Sequence, residues 1–204
     1  MARQPSYDRD LALDQAVELF WEKGYHASSL KQIEQALDMR PGSIYASFGS
    51  KDGLFSEALA RYAGHGAKAL AEHMASYTSV IDGLKGYLRD IARDCSDESR
   101  RPSKACLIVK TLLESSRTHP VMSQQANAFL ADIEEGLKRW LERARDQGEL
   151  DASVDCRRLA RFIQGQIMAL RIMAERPLPP DALTALGEDM AATLDPFLAS
   201  PRPL

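Results

Sequence analysis

The chain has 204 residues, of which 45% are hydrophobic and 27% charged, ordinary values for a globular protein with a small head on a larger body or one large domain. No apolar run approaches the roughly 20 residues that a membrane-spanning helix needs, and Met1–Ser6 carries no secretory apolar segment, so a cytoplasmic location is expected. Three cysteines (Cys95, Cys106, Cys156), an odd number with no paired spacing, argue against a disulfide framework.

The first helix is expected from about Tyr7 to Lys23. Leu13, Ala16, Val17, Phe20 and Trp21 recur with the period of one buried helical face, and Gly24 suits a left-handed C-terminal cap. A short second helix follows over about Ser29–Leu37. Ser29 and Gln32 stand in capping-box spacing, with Leu30, Ile33, Ala36 and Leu37 facing inward. Only Asp38-Met39 remains for a turn. Pro41 fits the first turn of a third helix, whose Ile44 and Phe48 point inward. Ser50 caps a fourth helix with Lys51 in its first turn, and Leu54, Phe55, Ala58 and Leu59 continue the core rhythm. That helix is expected to run to about 75, with further helices near 79–95, 104–117, 121–147, 155–175 and 180–199. Their breaks fall at the polar stretch 97–103, at His119-Pro120, at Gln147-Gly148 and at Pro177–Pro180. No strand-like alternation persists, so the fold class is all-α.

Two short helices joined by a turn of this length have the geometry of a helix-turn-helix that reads DNA. The recognition helix would be about Arg40–Ser47, exposing Arg40, Ser43, Ala46 and Ser47 with Pro41 and Gly42 at its tip. Apart from Arg40 these residues are small, which lets the backbone approach base edges. Tyr45 can donate its hydroxyl to a phosphate. Lys51, with the free amides that start the fourth helix, can hold another. Bulk charge argues mildly the other way. The net charge is −3, and residues 1–62 carry seven basic against nine acidic side chains. The expectation of DNA binding therefore rests on where the charges sit.

The run Leu19-Phe20-Trp21-Glu22-Lys23-Gly24-Tyr25, then Ser28-Ser29-Leu30-Lys31-Gln32-Ile33, then Gly42 to Phe55 resembles the TetR/AcrR regulators over about residues 8–56. The resemblance implies a nine-helix, Ω-shaped homodimer that represses a promoter until a small-molecule inducer binds. It implies a helix-turn-helix DNA-binding domain over 1–50 and a ligand-binding and dimerisation domain over 51–204. By matched position, Lys31, Arg40, Pro41, Gly42 and Ser43 would read bases. Ser29, Tyr45, Ser47 and Lys51 would contact phosphates. Three positions depart from the family pattern: Arg40 stands where a capping Ser or Thr is usual, Asp38 where a turn glycine is common, and Ser47 where a phosphate-contacting His is frequent.

The last two helices read as a dimer interface. Ile163, Ile167 and Leu170 make one stripe with Ala160, and Leu183, Leu186, Met190, Leu194 and Phe197 make another, while Gly165 and Ala169 permit close helix approach. A dimer presents two recognition helices and so favours a roughly palindromic double-stranded operator. A sensing site is expected among the central helices, from Cys106, Lys110, Met122, Phe129, Ile133, Leu137 and Trp140. Cys106, at a helix start with Lys104 and Lys110 close in sequence, is the candidate for an electrophile sensor, because cationic neighbours and a helix N-terminus favour the thiolate. The segment Cys106–Lys110 also resembles the cysteine region of electrophile-responsive family members, with Ala105 in place of their usual Gly. No cofactor and no metal site are expected: His65 and His73, eight apart, would lie roughly 12 Å apart on a helix, too far to share one zinc.

No phosphate-binding glycine loop or hydrolase motif appears, so the chain does not read as an enzyme. Glu134-Glu135 reads as a solvated helix face and not as a catalytic pair. The alternative is a helical ligand-binding or adaptor protein that does not bind DNA.

Overall fold

The computed structural model describes residues 8–96 and 105–199. These contain nine α-helices and one 3-10 turn: α1 Arg9–Ala27, α2 Leu30–Leu37, α3 Pro41–Phe48, α4 Lys51–Ala75, α5 Val80–Ser96, α6 Leu107–Ser115, α7 Pro120–Asp146, α8 Cys156–Met173, α9 Pro180–Ala192 and the turn Asp195–Phe197. The all-α class and helix order match the expectation. No helix among the described residues is long and apolar enough to cross a membrane.

Two compact units divide these residues. The first holds 8–66 with 107–128; the second holds 67–96, 105–106 and 129–199. In the first, Asp8 caps α1 by accepting from the amides of Asp10 and Leu11. All five expected inward residues of α1 are buried, and Ala12 and Leu19 join them. Leu54, Phe55, Ala58 and Leu59 of α4 close the same core, with Phe20 and Phe55 edge-to-face at 4.9 Å. Ser56 of α4 and Gln125 of α7 exchange two hydrogen bonds, at 3.0 and 3.1 Å.

The first helix differs from expectation at its end. Gly24 has positive φ (78°), but its ψ of 174° is not that of a left-handed cap, and helical turns resume over Tyr25–Ala27. Helix α6 binds the chain on both sides of this break. Lys110 Nζ donates to the carbonyl oxygens of Trp21 at 2.6 Å and Glu22 at 3.3 Å, just before the break. Glu114, one turn along α6, accepts from the Tyr25 amide just after it, at 3.3 Å. A single helix face thus supplies a donor to carbonyls before the break and an acceptor to an amide after it. Ser28, wholly buried, adds a bond from its hydroxyl to the Gly24 carbonyl at 2.7 Å.

The second unit packs α5 against α8 and α9. One core cluster joins Ile81 and Leu84 to Leu137, Leu141, Leu159, Ile163 and Leu194; another joins Leu88, Ile91 and Ala92 to Leu170, Ala174 and Leu183. Gly187 lets α9 approach α5 closely: a Cβ there would stand 2.5 Å from the Ala92 methyl carbon. The turn after α7 is fixed to the start of α5 by Glu149, whose carboxylate accepts from the amides of Val80 and Ile81 (3.0 Å each) and from the Ser79 hydroxyl (2.7 Å). Glu134 and Glu135 of α7 pair with Arg157 and Arg161 of α8, and Glu135 also pairs with Lys138 one turn along, an ion-pair network linking the two helices.

Candidate nucleic-acid interface

The helix-turn-helix forms as α2, a turn and α3. The capping box of α2 is present: the Ser29 amide donates to Gln32 Oε1 at 2.8 Å, and the Gln32 amide donates to Ser29 Oγ at 3.3 Å. Asp38 ends α2 in the left-handed conformation (φ 48°, ψ 42°), the backbone state that a turn glycine would adopt without strain. Met39 of the turn is buried beneath it.

Helix α3 begins at Pro41 with Arg40 in the N-cap position, and no side chain caps it. Its placement comes from its core contacts. Ile44 and Phe48 are buried, each stabilising by about 1.5–3 kcal/mol, whereas a missing cap costs about 1 kcal/mol. Packing therefore outweighs capping, and the N-cap position is left to a side chain with another use. The far end of α3 abuts α4 closely: a Cβ on Gly53 would overlap the Phe48 carbonyl oxygen. The Gly53 amide instead donates to Ser50 Oγ at 3.0 Å, the expected cap of α4.

These anchors leave one face of α3 outward. Arg40, Pro41, Gly42, Tyr45 and Ala46 are exposed, and a Cβ on Gly42 would meet nothing within 4 Å. Ser43 and Ser47 are half-buried, with the Ser47 hydroxyl donating to the Ser43 carbonyl at 2.7 Å. Lys31 is exposed on α2, and the Ser29 hydroxyl donates to Gln32 Oε1 at 2.9 Å. Lys51 is half-buried, its ammonium 4.2 Å from the centre of the Tyr25 ring; burial holds its pKa below the ordinary lysine value.

The net-negative head has a local explanation. Arg9 pairs with Glu57 at 2.6 Å, and Arg61 pairs with Asp14 at 2.5 Å and Asp10 at 2.9 Å. Three of the nine carboxylates are thus consumed along α1 and α4. Lys31, Arg40 and Lys51 make no ion pair among the described residues. Asp52, next to Lys51, is engaged elsewhere: the Tyr25 hydroxyl donates to one of its oxygens, and His119 Nε2 lies 3.1 Å from the other. The Tyr25 hydrogen bond, followed by the His119 interaction, keeps the Asp52 carboxyl below its usual pKa despite some burial. Burial and the same hydrogen bond push Tyr25 up to about 12.

Comparison with known proteins decides the family. Residues 12–58 match the model described as bacterial regulatory proteins, tetR family, and residues 85–185 match the tetracyclin repressor-like C-terminal domain. The chain belongs to the TetR family of transcriptional regulators. It is 30% identical over 184 residues (90% of this chain, 94% of the relative) to an uncharacterized HTH-type transcriptional regulator, YezE, of Bacillus subtilis. It is 31% identical over 173 residues (84% and 81%) to the HTH-type transcriptional repressor ComR of Escherichia coli. Among solved structures, the TetR family regulator CifR, a cysteine mutant complexed with a 26-bp double-strand operator DNA, has a TM-score of 0.80 at 30% identity, covering 93% of this chain and 98% of that one. A TetR family regulator from Cytophaga hutchinsonii, with TM-score 0.85 at 16% identity over 95% and 96% of the chains, shares the fold. The family resemblance read over about residues 8–56 therefore extends over about nine-tenths of the chain, with the all-α fold expected from its helical pattern.

The expected sensor and dimer residues of this regulator are dispersed. Lys110 and Met122 lie in the first unit, Met122 buried and Lys110 committed to the α1 carbonyls. Cys106, Phe129, Ile133, Leu137 and Trp140 lie in the second, where Leu137 is wholly buried in the core and Ile133 and Trp140 pack against it. Cys106 is half-buried just before α6, and the amide of its neighbour Ala105 donates to Glu175 at 2.6 Å; Lys104 lies outside the described residues. Of the dimer stripe, Ile163, Leu170, Leu183 and Leu194 are buried inside the single chain, and Ile167, Leu186, Met190 and Phe197 pack against the same core. Apolar periodicity found the face that α8 turns inward. The outward face carries Phe162 and Ile172, 46% and 51% exposed, with Gly165 between them and open space where its Cβ would be.

Proposed function

We propose that this regulator is a repressor that binds a roughly palindromic double-stranded operator as a homodimer and leaves it when a small molecule binds. The observation that carries the reading is the outward face of α3, fixed from behind by Ile44 and Phe48 and left open at Arg40, Pro41, Gly42 and Tyr45. The operator complex of CifR, 30% identical over nearly the whole chain, supports it. Lys31, Arg40, Pro41, Gly42 and Ser43 face the bases. Arg40 is suited to a guanine through O6 and N7. Tyr45 and Lys51 hold phosphates, and Ser29 and Ser47 join them by exchanging their present internal bonds for phosphate oxygens.

Dimerisation uses the outward face of α8 in place of the stripe expected from sequence. At 100° per residue, Phe162, Gly165, Ala169 and Ile172 fall within an arc of about 80°, and the glycine lets a partner helix approach closely. In function, residues 1–50 read DNA and residues 51–204 bind the inducer and the partner. The protein works in the cytoplasm by binding, without catalysis and without a cofactor. An electrophile acting at Cys106 remains the more specific form of the inducer reading, although Lys110, expected beside the thiol, is directed to α1.

Selection of bound duplexes from a random library tests the reading. The expected result is an enriched palindrome with half-sites about one helical turn apart. Failure to enrich any sequence would remove the repressor reading and favour a helical ligand-binding or adaptor protein.

A further inference from the structure

Lys51 is half-buried, forms no direct ion pair among the described residues, and feels the neighbouring Asp52 carboxylate only at longer range. The adjacent Asp52 would be the obvious counter-ion, yet both of its oxygens are engaged, one by the Tyr25 hydroxyl and the other by His119 Nε2. Tyr25 therefore acts on both members of the pair. Its ring lies under the Lys51 ammonium, and its hydroxyl holds Asp52. The ring is itself fixed, edge-on to Phe55 at 5.1 Å and to His119 at 5.9 Å, and the Tyr25 amide is held by Glu114.

We propose that Tyr25 is a positioning residue for the DNA-backbone contact of Lys51: its ring orients the ammonium, and its hydroxyl keeps the neighbouring carboxylate from neutralising it. This rests on the reading of Lys51 as a phosphate contact. A cation held over an aromatic face keeps its N–H donors for a phosphate oxygen, whereas one paired with a carboxylate must give up that partner first. The arrangement supplies a positive group at the start of α4 in a head whose total charge is negative.

The test measures operator affinity against salt concentration, using a duplex recovered by selection. The slope of log K against log salt counts phosphates neutralised, at about 0.9 per contact. Lys51→Ala is expected to lower the slope by about 0.9 per protomer. Tyr25→Phe removes one oxygen and keeps the ring, so its melting temperature checks folding directly; it frees Asp52 to pair with Lys51 and should lower the slope by a comparable amount. Adding Asp52→Asn to Tyr25→Phe should restore the slope, and Asp52→Asn alone should leave it unchanged. A reduced slope in Lys51→Ala with an unchanged slope in Tyr25→Phe overturns the role of Tyr25 and leaves the backbone contact standing. A reduced slope in Tyr25→Phe that Asp52→Asn does not restore also overturns it. An unchanged slope in Lys51→Ala removes the backbone contact and the proposal with it.

Discussion

A carboxylate oxygen of Glu114 lies where Gly24 lacks a side chain, so that a Cβ at position 24 would overlap it. Gly24 also has φ 78° and ψ 174°, a region open essentially to glycine alone. Gly24→Ala is therefore expected to destabilise the fold by about 1–3 kcal/mol. Relief of the overlap by a second change, Glu114→Ala, should recover only part of this, because the backbone strain stays. Urea unfolding of the two single variants and the double variant separates the contributions.

Arg40→Thr should have opposite effects on stability and recognition. Threonine can cap the amides at the start of α3, which the Arg40 side chain does not, and should add about 1 kcal/mol of stability. Loss of the guanidinium should weaken binding to the preferred operator by about 1–3 kcal/mol and relax preference at one base pair. A rise in melting temperature together with a fall in operator affinity is the expected pair of results. Unchanged base preference would remove Arg40 from the reading set.

Glu149 links stability to pH. Burial alone would raise its pKa, but the amides of Ile81 and Val80 and the Ser79 hydroxyl together outweigh it and hold the carboxyl below its ordinary value of 4.5. A folded-state pKa below the unfolded one means that the contribution is fully present above the unfolded value and is lost as pH falls through the folded one. The stability of the wild type should thus decline below about pH 4.5 more steeply than that of Glu149→Gln. At neutral pH the substitution should cost about 1–3 kcal/mol, since it weakens bonds to a charged acceptor. Denaturant titrations between neutral pH and pH 3 measure both effects; parallel pH curves would show that Glu149 is not linked.

Phe162→Glu and Ile163→Ala should separate association from folding. The first places a charge on the exposed face of α8 and should convert dimer to monomer with little change in unfolding free energy. The second empties part of a core and should cost about 2–5 kcal/mol of stability. Sedimentation and urea unfolding of both variants check the assignment. A Phe162→Glu protein that remains dimeric would place the interface elsewhere.

What the sequence made legible depended on how local the cause was. The capping box of Ser29 and Gln32, the Ser50 cap and the inward residues of α1 and α4 each follow from spacing within a few residues, and the structure has them where expected. Gly24 was readable as a positive-φ position but not as an interruption, because the groups that bridge it, Lys110 and Glu114, lie some ninety residues away. Distance also hid the role of Tyr25, whose partner Asp52 lies 27 residues on in α4 and whose ring neighbour His119 comes from the segment before α7. The stripe expected on α8 and α9 is apolar for a reason that does not by itself point to a partner: its residues are buried in or packed against the core of the single chain. Hydrophobic periodicity marks the face a helix buries, without distinguishing burial in its own chain from burial against a partner. Gly165 carries a different signal, since a small residue facing open space contributes nothing to its own core.

The bracing of α1 by α6 bears on how this regulator can be taken apart. A chimera made by grafting residues 1–66 onto another regulator's body would leave behind Lys110 and Glu114, and with them the bonds that bridge the break at Gly24. The compact unit containing the reading head includes residues 107–128 and is discontinuous in sequence. Operator specificity is therefore easier to transplant as the surface residues of α2 and α3 than as an N-terminal cassette, and inserted sequence between α5 and α6 would be tolerated only where the α6 brace still reaches α1.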